Sequence, residues 1–315
     1  MIRARRAPRR GVARGLRLAG LLSLAALPLL RAPPALAYVR YMTSTGHGFF
    51  WPQTCVPVSV YPASMMDANG NMEMTLDEIV HATTAAASAW SGGQNACTYL
   101  EINVTTSDAT PPKAGLDYTN AVLFRVQSWS YAAEALAITS VFVDKADGRI
   151  IDGDIEVNDK NFEWTDLDLD PAAKKQDLQN ALTHEMGHLI GLDHTCFANG
   201  TPGPVPTDNN GNEIPNCDNA PAAVQATTMF ASAIPGDTAK RTLEPDDIQG
   251  VCDIYPVADN PQRCPAKDEP PQKPGCALAP SGRGGIAPLG RGDIIGLVSV
   301  AALALAARRR RGRRT

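Results

Sequence analysis

The chain has 315 residues, long enough for two domains, and a formal net charge of −4. Arginine gathers at both ends, so residues 38–275 carry 13 basic against 32 acidic side chains. A body this acidic disfavours nucleic acid and anionic membrane surfaces as partners and favours solubility and cation binding, although a solvated acidic face accounts for most of it.

Residues 1–37 hold eight Arg and no acid, an apolar stretch from Leu18 to Leu30, and the small-x-small site Ala35-Leu36-Ala37. This reads as a secretory signal peptide with a mature start near Tyr38. The rival, an uncleaved membrane anchor, is disfavoured because the apolar stretch is short for a span. Val56–Tyr61 alternates and predicts an edge strand. Thr75 followed by Glu78 is a capping box that predicts a helix through the alanines to Trp90. His81 lies in that helix and reads as a packing or surface residue rather than a ligand. Strands are expected over 98–105, 121–127, Ala135–Asp144 and Ile150–Val157, with a turn at Asp147-Gly148. An Asp- and Asn-rich loop, 158–170, then leads to a helix over about 172–191. Strands first and a long helix second give an α+β fold class.

Residues 184–194 read His-Glu-Met-Gly-His-Leu-Ile-Gly-Leu-Asp-His, which is H-E-x-x-H-x-x-G-x-x-H without a mismatch. Of the five histidines in the chain, three lie in this segment. His184 and His188, four apart, share one helix face about 6 Å apart along the axis. Gly191 suits a left-handed exit that brings His194 in as a third ligand. Three protein ligands leave the fourth position of a tetrahedral Zn2+ open, the catalytic arrangement rather than the structural one. Glu185, not needed to hold metal, is placed as the general base for hydrolysis of a peptide bond. Asp193 is not a ligand here and reads equally as a supporting group or a surface acid. A non-catalytic surface adhesin that merely binds zinc is the rival reading.

Seven cysteines fit an oxidising compartment. With Cys276 set aside in the C-terminal segment, nearest-neighbour pairing joins Cys55 to Cys97, Cys196 to Cys217 and Cys252 to Cys264. The spacings contain no C-x-x-C, which weakens a cysteine-zinc alternative. Asp144, Asp147, Asp152, Asp154 and Asp159 are oxygen donors near turns, which suit structural Ca2+ but match no EF-hand spacing; acidic loops without metal fit equally well.

Downstream, Thr228-Met229-Phe230 resembles the Met-turn of metzincins. Arg241–Tyr255, with Leu243, Asp246, Asp247, Gly250 and Tyr255, resembles the closing helix of matrixins, and Gly153–Asn158 their strand before the active-site helix. The resemblance covers roughly residues 50–256. It implies a zincin with a mixed twisted sheet, a backing helix, an active-site helix and a C-terminal helix. It also implies protein or peptide substrates, whose backbone adds to an edge strand within Ala135–Val143, and a monomer. Three departures stand out. The gap from His194 to Met229 is long and holds the Cys196–Cys217 segment. Glu156 and Asn158 stand where animal members commonly have His and Asp, so a second, structural zinc is not expected. No cysteine-switch propeptide lies between Tyr38 and the first strand.

A Pro-rich linker, 257–275, precedes the C-terminal segment 276–315. That segment has Cys276, an apolar stretch Ile294–Ala307 and an arginine cluster at 308–314. It resembles the MYXO-CTERM type of sorting signal, a short apolar helix with a basic stop. This implies a secreted or surface protein with transient or permanent membrane association; a plain tail anchor is the alternative. The apolar stretch is short against the roughly 20 residues that a bilayer asks of a helix.

Overall fold

The computed structural model describes residues 38–171, 173–201 and 203–264, and the backbone of 294–295 and 301–305. Five strands form a mixed sheet: β1 (Cys55–Val60), β2 (Glu101–Thr106), β3 (Ala121–Phe124), β4 (Ala135–Asp144) and β5 (Ile150–Val157). Their order is β2-β1-β3-β5-β4. The β1 strand runs parallel to β2 and β3, and β3 parallel to β5, while β4 is antiparallel to β5.

The β1 strand is therefore interior, not the expected edge. Cys55–Val60 pairs with β2 along its length, and Ser59 and Val60 also pair with β3. Its apolar alternation arises because Val56, Val58 and Val60 face the core while Pro57 and Ser59 are only half-covered. Alternation reports which face is buried and is silent on whether the backbone edges are paired.

Helix α1 (Leu76–Trp90) starts as expected. The Thr75 side chain accepts from the Glu78 amide, and the Glu78 carboxylate accepts from the Thr75 amide. Its buried face of Ile79, Ala82, Ala86, Ala87 and Trp90 packs on β2 and on helix α2 (Leu178–Leu189). Every residue of α2 is buried. This helix is shorter than the 172–191 expected. Its first turn is set by Asp177, which caps the Asn180 amide at 2.9 Å, while Gln176–Asp177 is still strand, paired with Trp164–Thr165. Helix α3 (Pro245–Ile254) closes the body, with Glu244 and Asp247 forming a reciprocal cap. One core, including Val58, Ile155, Trp90, Leu182, Met186 and Tyr255, joins the sheet to these three helices.

Three disulfides staple the periphery. Cys196–Cys217 forms as expected and closes the insertion after the histidine motif. A loop of this length stabilises by about 3 kcal/mol in the chain-entropy picture. The other two expected pairs do not form: Cys97 bonds Cys252 and Cys55 bonds Cys264. Strand and helix packing overrides sequence proximity here. The bridge between Thr98 and Pro256 sets the 97 loop against the end of α3, and the Thr54 amide donates to the Arg263 carbonyl. Residues 257–264, expected as linker, are thus held on the body. Three disulfides fit an extracellular location.

The expected signal peptide (1–37), Cys276 and the arginine cluster lie outside the described residues. Within the C-terminal segment, Ile294–Ile295 and Ala301–Leu305 are strands, not the short apolar helix expected there. Both pair antiparallel with β4, and Ala301–Leu305 also runs parallel to Ser232–Ala233. An unpaired strand edge offers a row of free amides and carbonyls, which an apolar segment can satisfy as a strand. The edge expected to receive substrate is occupied by the chain itself. Among the described residues no helix is long and apolar enough to cross a membrane.

Candidate metal centre

Helix α2 carries His184, Glu185 and His188 and ends at Leu189. Gly191 follows with φ of +100°, and a Cβ there would come within 2.6 Å of the Phe49 carbonyl oxygen. Both facts favour glycine, and the reversal delivers His194 to the helix face. Residues Leu192–Asp193 pair antiparallel with Val39–Arg40, which anchors this return. Asp193 accepts the His194 amide at 2.7 Å, and burial pushes its carboxyl up to about 6.

The Nε2 atoms of His184, His188 and His194 lie 3.1 Å from one another. His184 Nδ1 is 2.7 Å from the Thr228 carbonyl and His188 Nδ1 is 2.8 Å from the Leu192 carbonyl. A carbonyl only accepts, so each Nδ1 carries the proton and each Nε2 presents a lone pair. The two lone pairs of His184 and His188 point at each other at 3.1 Å and repel unless a cation or a proton of His194 lies between them. A tetrahedral ion with bonds of about 2.0–2.1 Å spaces its ligands by about 3.3 Å, close to the spacing of this donor set. Burial, foremost, and the neighbouring imidazoles hold His184 well below its ordinary pKa; burial alone lowers His188 to about 4. Neutral imidazole is the form that binds metal.

Met229 lies beneath this helix. A Cβ on Gly187 would meet Met229 Sδ at 2.3 Å and the Trp90 ring at 2.9 Å, so α2 sits closely on both. Asp247, in the first turn of α3, accepts the amides of Thr228 at 2.8 Å and Met229 at 3.3 Å. The expected closing helix thereby holds the turn whose carbonyl at Thr228 orients His184. Tyr255 donates to the Ile190 carbonyl at 2.8 Å, fixing the far end of α2.

Sequence reasoning missed two residues here. Thr139, on β4, donates to Glu185 Oε2 at 2.6 Å and lies 3.1 Å from the Glu185 carbonyl. The residue sits beside Ser140 in a strand otherwise apolar from Ala135 to Val143, and its partner follows only from how that strand packs on α2. The second is Arg241, whose guanidinium is bidentate on Asp177 at 2.6 Å and also pairs with Asp166 and Asp168. It thereby clamps the start of α2.

The five acids considered for calcium do not converge. Asp144 and Asp147 both pair with Arg149. Asp152 accepts the amides of Asp117 and Tyr118, and Asp154 those of Gly115 and Ala121. Asp159 sits beside Glu73, and burial followed by that carboxylate pushes it up to about 7. Glu156 accepts from Arg125 and from the Tyr131 hydroxyl, and the Asn158 side-chain amide donates to the Ala135 carbonyl at 2.7 Å. His81 is half-exposed on α1 and pairs with Asp166. No protein-family model and no curated protein matches this chain.

Proposed function

We propose that the protein is a secreted or surface zinc endopeptidase with a metzincin-type, matrixin-like active site. One observation carries this reading: three histidine Nε2 atoms converge at 3.1 Å, and the neighbouring Glu185 carboxylate is held by a hydroxyl. His184, His188 and His194 would hold the ion. Zinc, when bound there, polarises a scissile carbonyl and makes water acidic enough to attack near neutral pH. Glu185 takes the proton of that water and delivers it to the leaving amine. Thr139 leaves Glu185 oriented for both transfers. The Thr228 and Leu192 carbonyls keep two imidazoles in the ligand tautomer.

The edge of β4 supports the view that substrate binds as an extended strand. It already takes an antiparallel strand of this chain, with Ala301 opposite Thr139. Export is supported by the disulfides and by the signal-like N-terminus. Calcium forms no part of the proposal, because four of its five candidate acids already pair with Arg149 or with backbone amides and the five do not converge.

A zinc-binding adhesin would need the three histidines but not a tethered Glu185. The deciding experiment incubates the zinc-loaded protein with a mixed peptide library, with and without a zinc chelator. Internal cleavage abolished by the chelator and restored by zinc is expected. A protein that carries one zinc and leaves every peptide intact would overturn the peptidase reading in favour of the adhesin.

A further inference from the structure

The C-terminal strand Ala301–Leu305 lies between two segments of the body rather than on one edge. On one side it runs antiparallel to β4, with Ala301, Ala302 and Leu303 opposite Thr139, Ile138 and Ala137. On the other it runs parallel to Ser232–Ala233, with Ala304 opposite Ser232 and Leu305 opposite Ala233. Its backbone also runs against α2, the helix of His184, Glu185 and His188. The strand therefore fills a slot, with β4 and Ser232–Ala233 as the walls and α2 beside it.

Both walls are tied to the metal centre. Thr139 donates to the Glu185 carboxylate at 2.6 Å. Ser232 follows the turn at Thr228–Met229, and the Thr228 carbonyl orients His184. Adjacent backbone groups of an extended strand face both of its sides, so one strand in the slot can pair with both walls at once. A peptide laid there as a strand needs the same amides and carbonyls, so the two occupants exclude each other. Upstream, Ile294 and Ile295 stand opposite Asp144 and Val143, so the same tail covers both ends of the β4 edge. The tail is tethered, because Cys55 holds Cys264 to the body. A flexible tether presents its end at an effective concentration of about 1 mM, which a free peptide must overcome.

We propose that the strand Ala301–Leu305 is an internal inhibitor that keeps the peptide slot filled until the tail is withdrawn or removed. Calling it an inhibitor rests on the peptidase reading; its competition with peptides for the slot does not.

The test compares the zinc-loaded full chain with the variant Ala302→Pro/Leu303→Pro. Two adjacent prolines remove backbone donors from the middle of the strand and disfavour its pairing. Hydrogen exchange at the amides of Ala135–Thr139 and Ser232–Ala233 that face the slot should be slow in the parent and faster in the variant. In a Glu185→Ala background, fluorescent peptides should bind the variant about fivefold more tightly than the parent, read by anisotropy. With Glu185 intact, kcat/KM should rise by the same factor at every protein concentration. A synthetic peptide of residues 299–307 added to the variant should reverse the gain. Intact mass should show the tail of the parent whole. Melting curves confirm folding, with Ala302→Pro alone as the substitute should the pair fail to fold. Equal exchange or equal peptide binding in parent and folded variant, or a cut between residues 301 and 305 in the parent, would overturn the inference. Tighter binding by the variant with no cleavage by either chain would leave the strand as a competitor for the slot and sink the peptidase reading instead.

Discussion

The cluster of His184, His188 and His194 and the cluster of His81, Asp166 and Asp168 both bring their ligand atoms within 4.8 Å of one another. In the first, every donor is a neutral imidazole, and two of the three are oriented by carbonyls behind them. In the second, the carboxylates already have partners: Arg241 pairs with Asp166 and Asp168, and His81 with Asp166. Proximity of metal-capable side chains is therefore a poor guide by itself. What separates the two is whether the lone pairs already have a cation or proton to point at.

The comparison breaks most sharply at Glu185. Glu185→Ala should leave zinc content at one ion per chain while turnover of casein or gelatin falls by about 10²–10⁴-fold. His188→Ala should lose the ion as well, as metal analysis of the dialysed protein will show. Undiminished turnover in Glu185→Ala would end its assignment as base. At the other cluster, Arg241→Met leaves Asp166 and Asp177 buried without their cation. A loss of about 3–5 kcal/mol in denaturant unfolding is expected, with the zinc-binding constant little changed. A chelator should have the opposite effect, stripping the first cluster and leaving the ion pairs of the second intact.

Thr139→Val tests how much the tether on Glu185 matters. Turnover should drop about tenfold at constant zinc content, with recovery in Thr139→Ser; equal rates for Val and Thr would mean that the hydroxyl is only packing. Deleting residues 276–315 should uncover the β4 edge and lower the KM for peptides severalfold, measurable in initial rates. The smallest effect is expected from a carboxylate that has only amides for partners. Burial holds Asp154 up to about 8, so the folded chain keeps this proton more tightly than the unfolded one. Stability should therefore fall as pH rises from about 4 to about 8, and Asp154→Asn should flatten the decline of Tm between pH 5 and pH 8.

Much of the centre is local and so can be read from the sequence. Two histidines four apart on a helix, a glycine that permits the reversal and a third histidine just beyond it need only eleven residues and helix geometry. The Thr75–Glu78 cap and the bounds of Ala135–Asp144 and Ile150–Val157 are legible for the same reason. The hydroxyl on Glu185 is not local, since Thr139 lies 46 residues before it and meets it only because β4 packs on α2. The Cys97–Cys252 and Cys55–Cys264 bonds span 155 and 209 residues and follow from which loops the sheet and α3 bring together.

The sequence alone determined the identity and order of the three clustered histidines, because their spacing is a property of one helix and one turn. Only the tertiary structure decided the tautomer of His184, the hydroxyl on Glu185 and the ion pairs around His81. Each depends on a partner that lies far away along the chain and is supplied by packing.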